Sequence, residues 1–171
     1  MMGDTLLLRP ITAVDVRQFI YWQYEAPYDV YNIATGELNE TAVAQEITYF
    51  LDPAINCHAI IDQQGMLQAF CTFGKDAQVP GGDYSQDALD IGLGVRPDRT
   101  GQGQGYRFVA AVIEFAQKTF QPTMLRVTIA EFNERAKRVW LGQGFVEGQR
   151  FTAVSWTKRP FIIFTRPAFP A

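Results

Sequence analysis

The sequence predicts a mixed α/β (α+β) fold, in which a central β-sheet of about seven strands is flanked by about four helices. Apolar residues recur at strand spacing in some segments and at helix spacing in others, in the order β-α-α-β-β-β-α-β-α-β-β. The chain has 171 residues, of which 47% are hydrophobic and 19% are charged. This composition is typical of one globular domain, so we expect a single domain over residues 1–171.

The first half of the chain is predicted to contain a strand, two helices and a hairpin. Thr12 is followed three residues later by Asp15, a spacing typical of a capped helix N-terminus. Asp52 precedes a proline, which disfavours the helical conformation and ends the second helix. The expected elements are a strand from Leu6, a helix after Thr12, a helix from about Thr41 to Leu51, and a hairpin that turns at Asp62 to Gly65.

The second half alternates predicted strands and helices. Five apolar residues at helical spacing predict a helix after residue 105, namely Phe108, Val109, Val112, Ile113 and Ala116. Asn133 is the expected cap of a shorter helix, and Gly144 is expected to end it. The expected strands are Leu89 to Val95, Leu125 to Ala130, Phe145 to Ser155 and Pro160 to Thr165.

Net charge and apolar run length exclude several classes of protein. A formal net charge of −3 argues against a general attraction to nucleic acid or to anionic membranes. The longest early apolar run, Leu6 to Leu8, is too short for a signal peptide or a membrane span. We therefore expect a soluble cytoplasmic protein with no nucleic-acid or membrane partner, for which a homodimer is a compatible assembly.

Cysteine and histidine usage predicts neither a disulfide nor a metal site. Cys57 and Cys71 lie in apolar surroundings about one hairpin apart, which favours two buried thiols. His58 is the single histidine, and Cys57 beside it is not part of a C-x-x-C pair. We expect His58 to be a structural residue of its strand.

Three glycines alternate between a predicted strand and the helix that follows it: Gly101, Gly103 and Gly105. Glycine lets the main chain approach a phosphate closely, and the free N–H groups of a helix N-terminus attract an anion. Any one of these glycines could mark a turn, but three at this corner favour a pyrophosphate site. Arg96, Arg99 and Arg107 surround the loop and can add contacts to phosphate oxygens.

The spacing of the glycines separates three kinds of phosphate loop. A P-loop places Lys-Ser or Lys-Thr after its last glycine, whereas Tyr106-Arg107 stands here. The dinucleotide fingerprint G-x-G-x-x-G fails because Tyr106 and Phe108 occupy the positions of its third glycine. The remaining pattern, G-x-G-x-G after V-R-P-D, resembles motif A of the GNAT superfamily of N-acetyltransferases, with Thr100 in place of the family's Arg or Gln.

A second stretch resembles motif B of the same superfamily, N-x-x-A-x-x-h-Y-x-x-x-G-F. Its matching residues are Asn133, Ala136, Val139, Gly144 and Phe145. The two motifs together cover about residues 88–147, and the order of the predicted elements is also the family's. The resemblance implies the GNAT acyl-CoA N-acyltransferase fold, whose sheet is splayed between its fourth and fifth strands.

The resemblance also implies acetyl-CoA as cosubstrate, without a metal. In the family the pantetheine arm bonds to the main chain of the first splayed strand, and the pyrophosphate meets the N–H groups of the glycine loop. The implied contacts are Leu93, Gly94, Val95, Thr100, Gly101, Gln102, Gly103, Gln104, Gly105, Tyr106 and Asn133. Gly92 and Gly94 fit a strand whose backbone meets a ligand, with tight packing inside the protein as the alternative.

The family's usual proton carriers are missing from their positions. Trp140 replaces the motif B tyrosine, and Thr128 stands where some relatives carry a glutamate. Trp140 is therefore expected to be a packing wall. The replacement candidates are Asp90, Glu131 and Glu25, with Tyr106 and Tyr28 beside them. A solvated carboxylate at a strand end is the alternative for Asp90 and Glu131.

The segment YWQYEAPYDVYN, residues 21–32, brings together five aromatic side chains. Such side chains can wall a site for an amine, with Glu25 or Asp29 meeting its positive charge, or they can cap the core. We expect an acetyl-CoA-dependent N-acetyltransferase that transfers an acetyl group to a primary amine of a small molecule or peptide, by direct attack in a ternary complex. The alternative is a non-catalytic acyl-CoA-binding or regulatory module on the same fold.

Overall fold

Seven strands and four α-helices alternate along residues 5–155 and 157–170, which are the residues that the computed structural model describes. The strands are β1 (Leu7–Pro10), β2 (His58–Ile61), β3 (Leu67–Phe73), β4 (Leu89–Val95), β5 (Met124–Ala130), β6 (Val146–Thr152) and β7 (Pro160–Pro167). The helices are α1 (Ala13–Phe19), α2 (Glu40–Leu51), α3 (Gly105–Phe120) and α4 (Glu134–Gly142). The predicted mixed α/β fold is confirmed.

The strands form one sheet in the order β1-β2-β3-β4-β5-β7-β6. Neighbouring strands are antiparallel except for β4 and β5, which are parallel. The register between these two places Leu89 opposite Leu125 and Asp90 opposite Arg126, whereas β3 follows β4 as far as Val95. The splay between the fourth and fifth strands stays a prediction, and this short parallel register is compatible with it.

The start of α1 is tied to β1 through Asp15. Arg9 of β1 donates two hydrogen bonds of 2.6 and 2.9 Å to the Asp15 carboxylate. The Thr12 N–H donates to the same carboxylate at 2.9 Å, and the Thr12 hydroxyl accepts from the Asp15 N–H at 3.3 Å, which completes the predicted cap. Burial acts to raise the pKa of Asp15, but the bonds from Arg9 and Thr12 outweigh it and lower that pKa.

Helices cover both faces of the sheet because successive strand residues point to opposite sides. The five apolar residues predicted for one face of α3 are all buried, in a cluster that also contains Ile60 of β2 and Leu125 of β5. The neighbouring strand residue Ala59 belongs to the second cluster instead, with Phe19 of α1 and Phe50 of α2. Helix α3 therefore packs on one face, and α1 and α2 pack on the other.

The predicted boundaries agree with the structure at the best-signalled elements and differ elsewhere. β4 matches its prediction, and α2 starts one residue earlier, at Glu40, because Asn39 caps it by accepting from the Ala42 N–H at 2.8 Å. β6 ends at Thr152 and β7 extends to Pro167. The domain predicted over residues 1–171 includes residues 1–4, 156 and 171, which lie outside the described residues.

The cysteines and the histidine lie in the sheet region as structural residues. Cys57 and Cys71 are both buried free thiols, as predicted, and burial raises both of their pKa values. The His58 ring packs 4.8 Å from the Phe115 ring, and its Nδ1 lies 3.1 Å from the Asn56 carbonyl oxygen. Within the described ranges, no helix has the length and apolar character needed to cross a bilayer.

Candidate active site

A cavity of about 410 Å³ lies beside the parallel strands, where β4 and β5 face the glycine loop and the α1–α2 loop (residues 20–39). From the sheet its walls include residues 91–95 of β4 and residues 127–129 of β5. The α1–α2 loop contributes Trp22, Tyr24, Tyr28, Tyr31 and Ile33, and the far wall is formed by α3 and α4. This volume lies within the usual range for small-molecule sites.

The glycine loop forms one end of this cavity. Gly101 and Gly103 adopt positive φ angles of 69° and 71°, a conformation that side-chain-bearing residues rarely adopt. No heavy atom lies within 4 Å of where a Cβ of Gly103 would be, so its backbone conformation, and not crowding, requires glycine there. α3 then begins at Gly105 without a side-chain cap, so no capping side chain occupies its first N–H groups.

The structure divides the predicted loop residues into two groups. Thr100, Gly101 and Gly105 line the cavity. Gln102, Gly103, Gln104 and Tyr106 are exposed or partly exposed along its outer side and are not among the lining residues. The prediction that all of them contact the coenzyme stays a prediction.

Two cavity-lining guanidinium groups stand next to the glycine loop, those of Arg99 and Arg135. Arg107, which was also predicted there, is not among the lining residues, and its Nη1 donates a hydrogen bond of 3.3 Å to Gln104 Oε1. Arg135 Nη1 lies 2.7 Å from where a Cβ of Gly101 would be, and the Arg135 guanidinium carbon lies 3.9 Å from the centroid of the Tyr28 ring. Of the other predicted arginines, Arg96 is bonded to Asp98 at 2.6 Å and to the Leu67 carbonyl at 3.2 Å. Arg135 was not predicted from the sequence. The one sequence feature that indicates it is its position in the first turn of the predicted helix after Asn133.

The β4 residues Leu93, Gly94 and Val95 line the cavity as expected. The reason for glycine at position 94 differs from the one predicted, because a Cβ there would lie 2.5 Å from the Phe70 ring. A Cβ at Gly92 would similarly lie 2.6 Å from the Thr72 hydroxyl. Both glycines are explained by side chains of β3 that cross over β4, so packing inside the protein accounts for them.

The α1–α2 loop is fastened to the cavity by two tyrosines. The Tyr24 hydroxyl donates a hydrogen bond of 2.8 Å to the Val95 carbonyl, and Asn133 Nδ2 donates one of 3.2 Å to the Tyr31 hydroxyl. Burial raises the pKa of both tyrosines, so both phenols are neutral near pH 7. Asn133 also caps α4, as predicted, by accepting from the Ala136 N–H at 3.1 Å.

Asp90 was predicted as a catalytic candidate, and the structure places it in a buried ion pair. Arg126 donates to both carboxylate oxygens at 2.6 and 2.7 Å, and Gln78 Nε2 donates to one of them at 2.9 Å. The Asp90 and Arg126 side chains are each 4% exposed. Asp90 is not among the cavity-lining residues, so the geometry supports a structural role.

Glu131 and Glu25, the other two catalytic candidates, also lie outside the lining residues. Glu131 accepts a hydrogen bond of 2.8 Å from Arg150. Glu25 is exposed, and its main-chain carbonyl accepts from the Tyr28 N–H at 2.8 Å. Neither carboxylate is brought to the cavity, so their catalytic roles have no geometric support.

Asp76 is the carboxylate that does line the cavity, and it was missed at the level of sequence. It belongs to the 3₁₀ turn Lys75–Ala77 between β3 and β4, and the Tyr49 hydroxyl of α2 donates to its Oδ1. Tyr49 and Asp76 are 27 residues apart in the chain, so no local sequence pattern indicates this contact. Across residues 5–155 and 157–170, no three His, Cys, Asp or Glu side chains lie together as metal ligands would.

Trp140 and Thr128 occupy the positions where the family's proton carriers were expected. Trp140 is 5% exposed and packs edge-on against Phe145 with 5.0 Å between ring centroids. Thr128 Oγ1 lies 2.9 Å from the Tyr84 hydroxyl. Both line the cavity, and the packing of Trp140 is that of a wall.

Comparisons with known proteins agree with this fold. The family profile described as "Acetyltransferase (GNAT) domain" matches residues 5–146. Among solved structures, a spermidine N-acetyltransferase chimera from Vibrio cholerae and hSSAT is 14% identical, with 95% of each chain covered and a TM-score of 0.73. A GNAT-family acetyltransferase from Bacillus anthracis is also 14% identical, with 95% of each chain covered and a TM-score of 0.71.

A dodecameric spermidine N-acetyltransferase from Vibrio cholerae, in an intermediate state, is 15% identical over 95% of this chain and 94% of its own, with a TM-score of 0.65. At these identities the likeness shows the fold alone. No curated protein matches the chain by sequence. Because the profile spans most of the chain, from the first strand to the start of β6, the protein belongs to the GNAT family of acetyltransferases.

Proposed function

We propose that this protein is an acetyl-CoA-dependent N-acetyltransferase that acetylates a primary amine of a small molecule or peptide, by direct attack in a ternary complex. One observation carries the proposal. A single cavity has a glycine loop and two arginines at one end, and aromatic rings and a carboxylate elsewhere along its walls. The first set suits a pyrophosphate and the second suits an amine.

The residues of the glycine loop fit the coenzyme's diphosphate. The positive φ angles of Gly101 and Gly103 and the uncapped N-terminus of α3 provide main-chain donors to an anion. Arg99 and Arg135 line the same end and add positive charge. Thr100 in place of the family's Arg or Gln is expected to weaken diphosphate binding only modestly, because the donors are main-chain N–H groups.

Acetyl-CoA supplies an activated acetyl group whose thiolate is a fair leaving group. We assign the main chain of Leu93, Gly94 and Val95 to the pantetheine arm, since these residues line the cavity beside the glycine loop. A main-chain N–H of this strand is the proposed donor to the developing oxyanion. Trp140 cannot act as an acid, because an indole does not release its proton at neutral pH. We therefore assign the proton transfers, from the amine and to the thiolate, to water.

The proposal extends to the acceptor and to the assembly. Two of the three neighbours described above are named for spermidine, and one of these two is a dodecamer, so spermidine belongs in any panel of acceptors. A homodimer is one compatible assembly, and light scattering of the purified chain measures the oligomeric state. The proposed compartment is the cytoplasm, where acetyl-CoA is available.

A thiol-release assay tests the proposed function. The purified protein is mixed with acetyl-CoA and a panel of amines, amino acids, short peptides and spermidine, and free coenzyme A is measured. We expect release that depends on at least one amine. Binding of acetyl-CoA without release for any acceptor would reject this proposal and favour the non-catalytic acyl-CoA module.

A further inference from the structure

The charges that line the cavity are divided between its two ends. Among the described lining residues the cations are Arg99 and Arg135, and the one anion is Asp76. The two arginines stand beside the glycine loop, whereas the turn that carries Asp76 packs against Gly92: a Cβ at that glycine would lie 3.4 Å from Ala77 Cβ. Charges of opposite sign therefore lie in different parts of the cavity wall.

The distance between the two ends follows from the geometry of β4. Three residues of extended chain separate Gly92 from Val95, which corresponds to about 10 Å. The glycine loop begins beyond Val95, so the turn that carries Asp76 and the loop meet β4 at different points along the strand. A ligand group bound at Asp76 is therefore distinct from the phosphates proposed for the loop.

Asp76 is held in place from two directions. The Tyr49 hydroxyl donates to Oδ1 from α2. The turn itself is fixed to β4, because the Gly74 N–H donates to the Asp90 carbonyl at 2.9 Å and Gln78 Nε2 donates to the Asp90 carboxylate at 2.9 Å. Since Arg126 holds Asp90 in turn, the carboxylate of Asp76 is a pre-positioned group.

We propose, on the basis of the proposed function, that Asp76 binds the ammonium group of the acceptor and that the acceptor is a primary monoamine with an apolar body. Tyr49 occupies Oδ1, and the ammonium is assigned to Oδ2. Asp76 is half-buried, and a half-buried carboxylate attracts an ammonium group more strongly than a fully exposed one does. Asp76 therefore replaces Glu25 as the proposed partner of the ammonium group, because Glu25 is exposed and does not line the cavity.

The apolar body of the acceptor follows from the walls between the two ends. Trp22 and Phe70 line the cavity with their ring centroids 6.0 Å apart, and Phe70 lies directly over Gly94. Tyr24 also lines the cavity, and its hydroxyl donates a hydrogen bond to the Val95 carbonyl. Since the described lining residues offer a single carboxylate, a second ammonium group would lack a counter-charge.

Binding measurements with a charged and a neutral probe test this assignment. Isothermal titration calorimetry gives the Kd of 2-phenylethylamine, and of its neutral isostere 2-phenylethanol, for the full chain saturated with coenzyme A. Asp76→Asn is expected to weaken the amine by about tenfold, since one unit charge is removed, and to leave the alcohol within about twofold. 1,4-Diaminobutane is expected to bind the unaltered protein at least about tenfold more weakly than 2-phenylethylamine.

Asp87→Asn is the matched control, because Asp87 is exposed, lies outside the lining residues and carries the same charge. It is expected to change no Kd by more than about twofold. Circular dichroism checks that Asp76→Asn is folded, and Asp76→Ser serves as a second variant.

Three results would overturn the assignment: equal effects of Asp76→Asn and Asp87→Asn on the amine, equal weakening of amine and alcohol in Asp76→Asn, or failure of the unaltered protein to bind the amine. A diamine that binds as tightly as the monoamine would overturn the proposed substrate class. Amine binding that depends on Asp76 without any thiol release would keep this assignment and reject the proposed function. Thiol release that is insensitive to Asp76→Asn would keep the proposed function and reject the assignment of Asp76.

Discussion

The Tyr24 hydroxyl donates a hydrogen bond of 2.8 Å to the main-chain carbonyl of Val95, 71 residues later in the chain. The bond joins the α1–α2 loop to the end of β4, where the strand gives way to the glycine loop. One side of the cavity, proposed for the acceptor, is thereby fixed to the strand proposed for the coenzyme.

Tyr24→Phe removes this bond and nothing else of comparable size. We expect the free energy of unfolding to fall by about 1 kcal/mol, the usual net value of one hydrogen bond. Burial raises the pKa of Tyr24, so its phenol is protonated in both folded and unfolded protein from about pH 6 to 9 and the loss is constant there. Urea titrations measure it, with Tyr21→Phe as the control, because Tyr21 is 47% exposed. A pH-dependent loss in that window would contradict this account.

Gly103→Val tests the coenzyme loop. The wild-type protein gains roughly 2.7 kcal/mol of unfolding free energy at an acetyl-CoA concentration of 100 times Kd. The positive φ of Gly103 is unfavourable for valine, so the variant is expected to lose this gain while the apo fold survives. Gly36→Val is the matched control, since that glycine also has open space around it but no positive φ. A full thermal shift in Gly103→Val would remove the loop from the coenzyme site.

Asp90→Asn separates a structural role from a catalytic one. The substitution leaves the Arg126 guanidinium buried without its charge partner, which is expected to cost about 3–5 kcal/mol of unfolding free energy. Glu131→Gln provides the comparison, because its partner Arg150 is 62% exposed and the pair is worth at most about 1 kcal/mol. A stable Asp90→Asn protein whose turnover is abolished would instead support the catalytic prediction.

Asp15→Asn is expected to reduce stability in a pH-dependent way. The pKa of Asp15 is lowered in the folded protein, so its contribution is fully present above the unfolded pKa of about 4 and is lost as the pH falls through the folded value. Urea titrations at several pH values should therefore show a wild-type advantage at pH 7 that shrinks below about pH 4. An advantage that persists unchanged at about pH 2 would mean that the ion pair with Arg9 contributes little.

Trp140→Phe tests the assignment of Trp140 as a wall. Phenylalanine keeps most of the packing against Phe145 and removes the indole N–H, so kcat on an identified acceptor is expected to fall less than about tenfold. Removal of a general acid costs about a hundredfold or more. Steady-state kinetics that give a loss of that size would assign the indole a chemical role.

The elements predicted best were those whose signals are local. The face of α3 and the boundaries of β4 follow from periodicity within a few residues. The cap at Thr12 and the glycine corner at residues 101–105 are likewise short patterns. Each therefore agrees with the structure without knowledge of any distant contact.

Local sequence patterns could not show which carboxylates are structural and which line the cavity. Whether Asp90 is catalytic or structural depends on Arg126, 36 residues later, and the place of Asp76 in the cavity depends on packing with α2. The positions of Arg135 and Tyr24 beside the cavity depend on the same kind of contact. Sequence patterns identify such residues as candidates, but tertiary packing decides which of them face a ligand.

The core beneath α3 restricts how the cavity can open. The parallel pair β4–β5 joins two antiparallel blocks of the sheet, β1-β2-β3-β4 and β5-β7-β6. The core cluster beneath α3 contacts both blocks, because it contains Phe73 of β3 and Phe164 of β7. Pulling the blocks apart would hydrate Phe108, Val109, Val112 and Ile113, at roughly 1.5–3 kcal/mol each. The sum, roughly 6–12 kcal/mol, is comparable to the whole stability of a domain. Separation of the two halves of the sheet is therefore too costly a way to widen the cavity, and the sheet behaves as a rigid frame.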